Sequence, residues 1–481
     1  MAATGTSGRA APDGTAAGAG TGPGPGVELP LLTVEGRRRT RARETVNGVD
    51  GRPCASLSLA PELLVARTLA RQARTEPLPA GRRERALREA AERFLEDTLG
   101  GLAFGEHLAR VGRVSGHNAP LTARMSEQVA AALAQAPQRA DQARPRGSVR
   151  SREEVPQGSG RGVWTRRGRT LGAVLSGNAP TIQNGWLQAL ALGYRVAVRP
   201  SRREPFTAHR VVLALRAAGF RGVDAVYLPT TRAVAGSVLR RADLGLTYGG
   251  DDVEAAYGRD PSVKVGGPGR SKTLITRERL RPAAVASVAE SVSALSGTAC
   301  VNTSAVLVEG DHVSFARALA EELRGLTGNG GLQTTDRHLG PRLPEAAALA
   351  LLDGLRRSGP GEPVIPWDRV AARHPDGGVV LGPAVLTVDT PEHPLLRSEL
   401  PFPCVWVAPW RPEDGLTALG GSLVVNAITE DTGLVDALAA DPTIRNVHQN
   451  APTVRGDGLL PHEDYVGGFL MRNKAVVIGA R

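Results

Sequence analysis

A chain of 481 residues, 41% of them hydrophobic, can bury a large core and should divide into two or more domains. Its formal charge of +11 is carried mostly by arginine, with lysine only at Lys264, Lys272 and Lys474. Only 4% of residues are aromatic and none interleaves with the basic run Gly36 to Arg43, which argues against a nucleic-acid partner and for anionic small molecules. No apolar run of membrane-spanning length and no secretory leader is present, so the expectation is a cytoplasmic protein with no membrane partner.

In chain order, residues 1 to about 50 are rich in Gly, Ala, Thr and Pro with little periodic hydrophobicity, and are expected to form a disordered tail. Residues 51–145 are predicted as a helical lead-in, with Leu63, Leu64, Ala66, Leu69 and Ala70 at three- and four-residue spacings. Pro137 to Gly160 carries Arg, Pro, Gly and Ser and is predicted as a linker or exposed loop. From there the pattern alternates: strand Leu171 to Ser176, helix Thr181 to Leu192, strand Arg195 to Arg199, helix Thr207 to Ala218, strand Val223 to Leu228, helix 231–241, strand Leu244 to Tyr248. Alternation of this length implies an α/β fold with a doubly wound, mostly parallel sheet, here a dinucleotide-binding domain over 146–272. Ligands bind such sheets at the carboxyl ends of the strands, where the turns Ser176-Gly177-Asn178, Arg199-Pro200-Ser201 and Tyr248-Gly249-Gly250 should gather.

A second α/β domain is predicted over 273–440, with strands near 303–308, 384–389, 404–409 and 422–428 and helices near 281–295, 312–326, 344–357 and 431–440. Residues 441–481 form a C-terminal return, closing with a β-like run, Lys474 to Gly479, that has no partner nearby in sequence and suits another sheet or another subunit.

Three cysteines, Cys54, Cys300 and Cys404, have neither disulfide-framework nor zinc-site spacing, and no metal is expected. Cys300 lies between a small-residue turn and the apolar run Ala305 to Val308, a placement that can hold its sulfur at the lip of a scaffold. Taken alone it is more often a small buried hydrophobe than a nucleophile. Cys404, in the apolar run Cys404-Val405-Trp406-Val407, is predicted as a sheet residue. Gly266 to Thr273 brushes against a phosphate-loop pattern, but Ser271 stands where that motif requires glycine, which rules out a nucleotide triphosphatase.

The turns and the cysteine, in this order, resemble the aldehyde dehydrogenase superfamily from about residue 163 to the C-terminus. Ser176-Gly177-Asn178-Ala179-Pro180 looks like the family's asparagine loop, and Ala189 to Ser201 looks like its cofactor segment. Leu246 to Gly250 sits where the family contacts the cofactor phosphates, Gly297-Thr298-Ala299-Cys300 matches the nucleophile motif, and Ser398 to Pro403 resembles the segment whose glutamate holds the nicotinamide ribose. The resemblance implies catalytic roles for Cys300 and Asn178, and cofactor contacts from Arg199, Ser201, Arg202, Gly249, Gly250 and Glu399. Asn178 has a plainer reading as a cap of the helix starting near Thr181.

One departure is informative. In Val263-Lys264-Val265-Gly266-Gly267 the family's general base, a glutamate two residues before the paired glycines, is replaced by Lys264. Without that carboxylate a thioester on the cysteine is not readily hydrolysed, which suits reduction of acyl groups instead of oxidation of aldehydes. The nearest resemblance is to the aldehyde-dehydrogenase-like subunit of two-component aryl carboxylic acid reductases of phenazine and aminohydroxybenzaldehyde biosynthesis, related to acyl-CoA reductases. It implies an AMP-forming aryl-acid adenylating enzyme as partner, an activated aryl acid as substrate and, by family habit, a homo-oligomer. Lys264 then contacts a substrate phosphate or sits in solvent. Arg202 replaces the ribose-binding carboxylate of NAD-using members, so NADPH is expected, with NADH possible. A stand-alone acyl-CoA reductase and a non-enzymatic scaffold subunit are the alternatives.

Overall fold

In the computed structural model residues 26–326, 340–359, 361–456 and 458–480 are described. The apolar runs of the first half become five parallel strands, lying side by side in the order Val263–Gly266, Leu244–Tyr248, Thr170–Val174, Arg195–Arg199, Ala225–Tyr227. They are apolar on both faces because both faces are covered. Val196 and Val198 pack with Trp186, Val211 and Phe94, whereas Ala197 and Val226 pack with Val65, Leu69 and Val238 on the other side. The chain starts at Thr170–Val174, builds outward one way and then returns to build the other way, so a crevice opens at the carboxyl ends between Thr170–Val174 and Leu244–Tyr248.

The second sheet has seven strands in the order Glu362–Pro363, Ala384–Thr387, Cys404–Pro409, Thr303–Val308, Ser271–Ile275, Val424–Ile428, Asn446–Gln449, all parallel except the first. Its core is Val306, Trp406, Val407 and Leu386 with Val288 and Leu319 from the covering helices Pro282–Ser293 and His312–Leu326. Cys404 and Cys54 are buried strand residues. The expected fold class, α/β with a doubly wound cofactor domain and an α/β catalytic domain, is therefore the observed one. No helix among the described residues is long and apolar enough to cross a membrane.

Several expected boundaries are corrected. Residues 1–25 of the expected tail lie outside the described residues, but 26–50 are ordered. Leu31–Thr33 joins the cofactor sheet antiparallel to Ala225–Tyr227 and carries Gly36–Arg38 beyond it, and Val27–Leu29 pairs with Pro53–Ser58, which in turn pairs with Arg43–Asn47. These strands are too short to show a period of their own. Partners nearly two hundred residues away bury Leu31 and Leu32 completely.

Helix Ala119–Asp141 runs through Pro137 into the expected linker, because Ala136 and Ala140 are completely buried on its inner face. The helical lead-in is no separate domain, since Leu87, Phe94 and Leu133 share one core with the cofactor sheet. Across the other boundary, the catalytic sheet begins at Ser271 and takes its edge strand, Asn446–Gln449, from the C-terminal return. The run that lacked a partner nearby finds one within the chain: Met471–Ile478 pairs residue for residue with Ser159–Arg166 in a two-stranded ribbon.

Candidate active site

The helix Pro282–Ser293 stops short of Cys300 in an unusual turn. Leu295, Ser296 and Gly297 follow one another at φ 54°, 58° and 64°. Left-handed backbone costs an L-residue about 1–2 kcal/mol, so two non-glycine residues there must be held by their surroundings. Asn302 provides much of that hold. Its Oδ1 accepts from the Ala299 N–H at 2.9 Å, and its Nδ2 donates to the carbonyls of Ser291 (2.9 Å) and Ala294 (2.8 Å). The Cys300 carbonyl accepts from Ser271 Oγ at 2.9 Å and lies so near Gly269 that a Cβ there would be 1.7 Å from it. The backbone of Cys300 is thus fixed before any ligand arrives.

The side chain of Cys300 points to the interface between the two sheets. Its Sγ is 3.3 Å from Nε2 of His462. Desolvation around the half-buried sulfur pushes the thiol up to about 12, with the charges of Glu399 and Glu463 adding to the effect, and crowding of the contact edge of His462, whose residue is otherwise exposed, pulls the imidazole below its ordinary value. The resting pair is therefore neutral thiol and neutral imidazole. Nothing in the sequence pattern singled out His462, which stands 162 residues from Cys300. The Pro-His-Glu-Asp run around it, a histidine followed by two carboxylates, was the one available signal.

Asn178 reaches the same place from the cofactor sheet. Its Oδ1 accepts from Ser176 Oγ at 2.7 Å, and its Nδ2 donates to the Thr298 carbonyl in the nucleophile turn at 3.2 Å. The capping alternative fails, since the helical turn Pro180–Gln183 has no side-chain cap. Glu399 comes from the catalytic side. Its Oε2 accepts from the N–H groups of Gly269 (2.8 Å) and Arg270 (3.3 Å), and burial raises its carboxyl above the usual range.

Lys264 is not in open solvent. Its side chain is 15% exposed and lies between Glu463 Oε2 (3.7 Å) and Asp464 Oδ2 (3.6 Å). Glu463 also accepts from the Gly267 N–H at 3.1 Å. Residues 462–464 thus lie across the junction, with His462 on Cys300 and the next two carboxylates on Lys264.

At the carboxyl end of strand Arg195–Arg199 the donor set suits an anion. Arg199 ends the central strand Arg195–Arg199 and its buried Nε has no hydrogen-bond partner among the described residues, while burial and then the charge of Arg202 lower its pKa. Ser201 is buried and its Oγ accepts from the Arg203 N–H at 3.1 Å. Arg202 is already paired, its guanidinium donating to Glu44 Oε1 at 2.9 Å. Gly177 lets the two turns approach, because a Cβ on it would be 2.3 Å from Ser201 Oγ.

The turn at Gly249 and Gly250 is less open to phosphate than its sequence suggests. The Gly249 N–H donates to the Gly266 carbonyl at 3.1 Å, and the helix that follows opens with Asp251, Asp252 and Glu254, whose charges oppose an anion at its N-terminus. Arg270, which grips Asp251 with contacts of 2.6 and 2.7 Å, offsets part of this. Among the described residues, the buried Arg199 Nε at the carboxyl end of strand Arg195–Arg199 is a donor open to an anionic ligand. No group of three or more His, Cys, Asp or Glu among the described residues could hold a metal.

Residues 64–419 match the model of the aldehyde dehydrogenase family. Among solved structures, a mutant of 1-pyrroline-5-carboxylate dehydrogenase from Thermus thermophilus superposes with a TM-score of 0.78 at 15% identity, over 94% of this chain and 93% of that one. Gamma-glutamyl-gamma-aminobutyraldehyde dehydrogenase from Burkholderia cenocepacia gives 0.78 at 17%, over 95% and 97%. An indole-3-acetaldehyde dehydrogenase complexed with NAD+ gives 0.75 at 15%, over 94% and 97%. No curated protein sequence matches.

Proposed function

The chain belongs to the aldehyde dehydrogenase family, and from that premise we propose that it runs the family's chemistry toward the aldehyde, reducing an activated aryl carboxylic acid through a thioacyl group on Cys300. An adenylating enzyme supplies the activated acid, as an acyl-adenylate or thioester, since a free carboxylate is inert to a thiol. The observation that carries the reductive reading is at Lys264. The position expected to hold the water-activating carboxylate holds an ammonium group already paired with Glu463 and Asp464, and a cation cannot take a proton from water.

Cys300 Sγ attacks the acyl carbon. The oxyanion that forms is held by the Asn178 amide and the Cys300 backbone N–H, donors worth about 3 kcal/mol each when preorganised. In this reading Asn178 exchanges the Thr298 carbonyl for the substrate oxygen. Arg199, Ser201 and Arg202 hold the adenosine end of the cofactor, with NADPH preferred because two guanidinium groups suit a 2′-phosphate. Glu399, pinned through Oε2, holds the nicotinamide ribose. The cofactor, when bound, supplies hydride. A substrate phosphate is the ligand this reading gives Lys264, and such contact requires it to leave Glu463 or Asp464. A homo-oligomer belongs to the same reading: the ribbon of Ser159–Arg166 and Met471–Ile478 is only two strands wide, and Val477 on it is 78% exposed.

The opposite direction is favoured by one observation, the imidazole of His462 beside Cys300, which can serve as a base for water. The two are separated by following NADPH in the presence of an aromatic acid, ATP and magnesium, with and without an AMP-forming aryl-acid ligase. Aldehyde formed only with the ligase supports the reductase component. Turnover of an acyl-CoA without ligase makes it a stand-alone acyl-CoA reductase, and acid formed from an aromatic aldehyde and NADP+ reverses the direction.

A further inference from the structure

Cys300 has a neighbour that the resemblance did not supply. His462 comes from the C-terminal return and places Nε2 3.3 Å from Sγ. It is held on both sides of the domain junction. Its carbonyl accepts from Asn446 Nδ2, which also donates to the Leu423 carbonyl at 3.0 Å, and the next residue, Glu463, is tied to Gly267 N–H and Lys264 of the cofactor sheet. A chance contact in a loose tail would lack these anchors. The groups facing the pair are Glu399, Glu463, Lys264 and the half-buried Tyr248, with Asp464 behind Lys264.

We propose that His462 is the proton acceptor for Cys300, a catalytic base built from the C-terminal segment where the family position carries Lys264. This deepens the proposed function and rests on its assignment of Cys300 as nucleophile. As the Sγ–carbon bond forms, the thiol proton passes to His462 Nε2, and the bond from acyl carbon to the leaving group's oxygen (adenylate) or sulfur (thioester) breaks, its electron pair leaving on the adenylate phosphate or the departing thiolate. When the carbon–sulfur bond is later broken, the thiolate takes the proton back from the imidazolium, so the pair ends as it began. The arrangement suits a half-buried thiol among carboxylates. Glu399 and Glu463 oppose a standing thiolate, whereas a proton handed to Nε2 during attack never requires one.

The test needs neither substrate nor cofactor. Alkylation of Cys300 by iodoacetamide in the full chain is followed by mass spectrometry from about pH 6 to about pH 9, with buried Cys54 and Cys404 as internal controls. With His462 as acceptor, the wild-type rate levels off once the imidazole is neutral. In His462→Gln the level limb disappears, the rate rises about ten-fold per pH unit, and at neutral pH it is about a hundred-fold lower. Superimposable profiles for the two proteins overturn the assignment. A wild-type rate that itself climbs about ten-fold per unit across the range does the same, whether or not the variant folds. A level limb in a protein that reduces no acyl substrate keeps the pair and removes the substrate reading; aldehyde formation without a level limb does the reverse.

Discussion

At the scale of single residues, the site divides into what a local run of sequence announces and what only folding brings together. Cys300 and Asn178 were legible because each lies in its own turn, between a strand and a helix, where few residues decide the geometry. His462 was not, because its role depends on Asn446, Gly267 and Lys264, which lie on other elements. Replacing Cys300 by Ala should abolish acyl reduction while leaving the dissociation constant for NADPH within about two-fold, since its side chain contacts His462 and not the adenosine end; fluorescence titration of the nucleotide measures the second half. Retained turnover in that variant removes the nucleophile. The arginines make a sharper pair. Arg199 has an orphaned buried Nε, whereas Arg202 already holds Glu44. Arg199→Gln should therefore weaken NADPH by about ten- to a hundred-fold and NADH much less, with Arg202→Gln costing a smaller factor, because a charge-assisted bond is worth about 1.5–3 kcal/mol only where it is not already made. Equal losses for both nucleotides in Arg199→Gln would place the phosphate elsewhere.

At the scale of elements, periodicity revealed those that bury a face within their own length and missed those that borrow one. Helix Phe206–Ala217 and strand Arg195–Arg199 are long and apolar enough to be read alone. Leu31–Thr33 and Val27–Leu29 are three residues each, and only their pairing makes them strands. The nucleophile turn was visible as small residues but not as three successive left-handed residues, since Leu295 and Ser296 give no sign of that backbone. Gly297 is the residue on which it depends. Besides its φ of 64°, a Cβ there would sit 2.4 Å from the Pro403 nitrogen, in the segment that leads from Glu399 into strand Cys404–Pro409. Gly297→Ala should destabilise the fold by about 2–3 kcal/mol, from left-handed backbone plus overlap, and slow Cys300 alkylation as the turn shifts. Denaturant unfolding checks the first effect. A variant as stable as wild type would mean that the turn relaxes freely.

At the scale of the whole molecule, two buried imidazoles tie stability to pH. His107 packs its ring against Phe94 and Phe104, and His209 packs edge-on to Tyr227; neither has a partner for its Nε2. Burial pulls both down to about 3, the nearby Arg210 charge adding to the effect at His107 and the Arg37 charge at His209. The ordinary value is 6.5, so below that pH the unfolded chain binds protons that the folded chain refuses. Stability contributed by the neutral rings is complete above 6.5 and is lost as pH falls toward 3, at on the order of 1 kcal/mol per pH unit for each ring. Glu204 works the other way, since burial raises its pKa and acid relieves the cost of its charge. The measurement therefore belongs between about pH 7 and about pH 5, above the range in which most carboxylates titrate. His107→Phe keeps an aromatic ring between Phe94 and Phe104 and removes one titrating group, so the slope of unfolding free energy against pH should fall by that ring's share, on the order of 1 kcal/mol per pH unit below the ordinary imidazole range, while His209, His374 and His462 keep theirs. An unchanged slope would mean that His107 is protonated in the folded chain and that its ring pocket admits water.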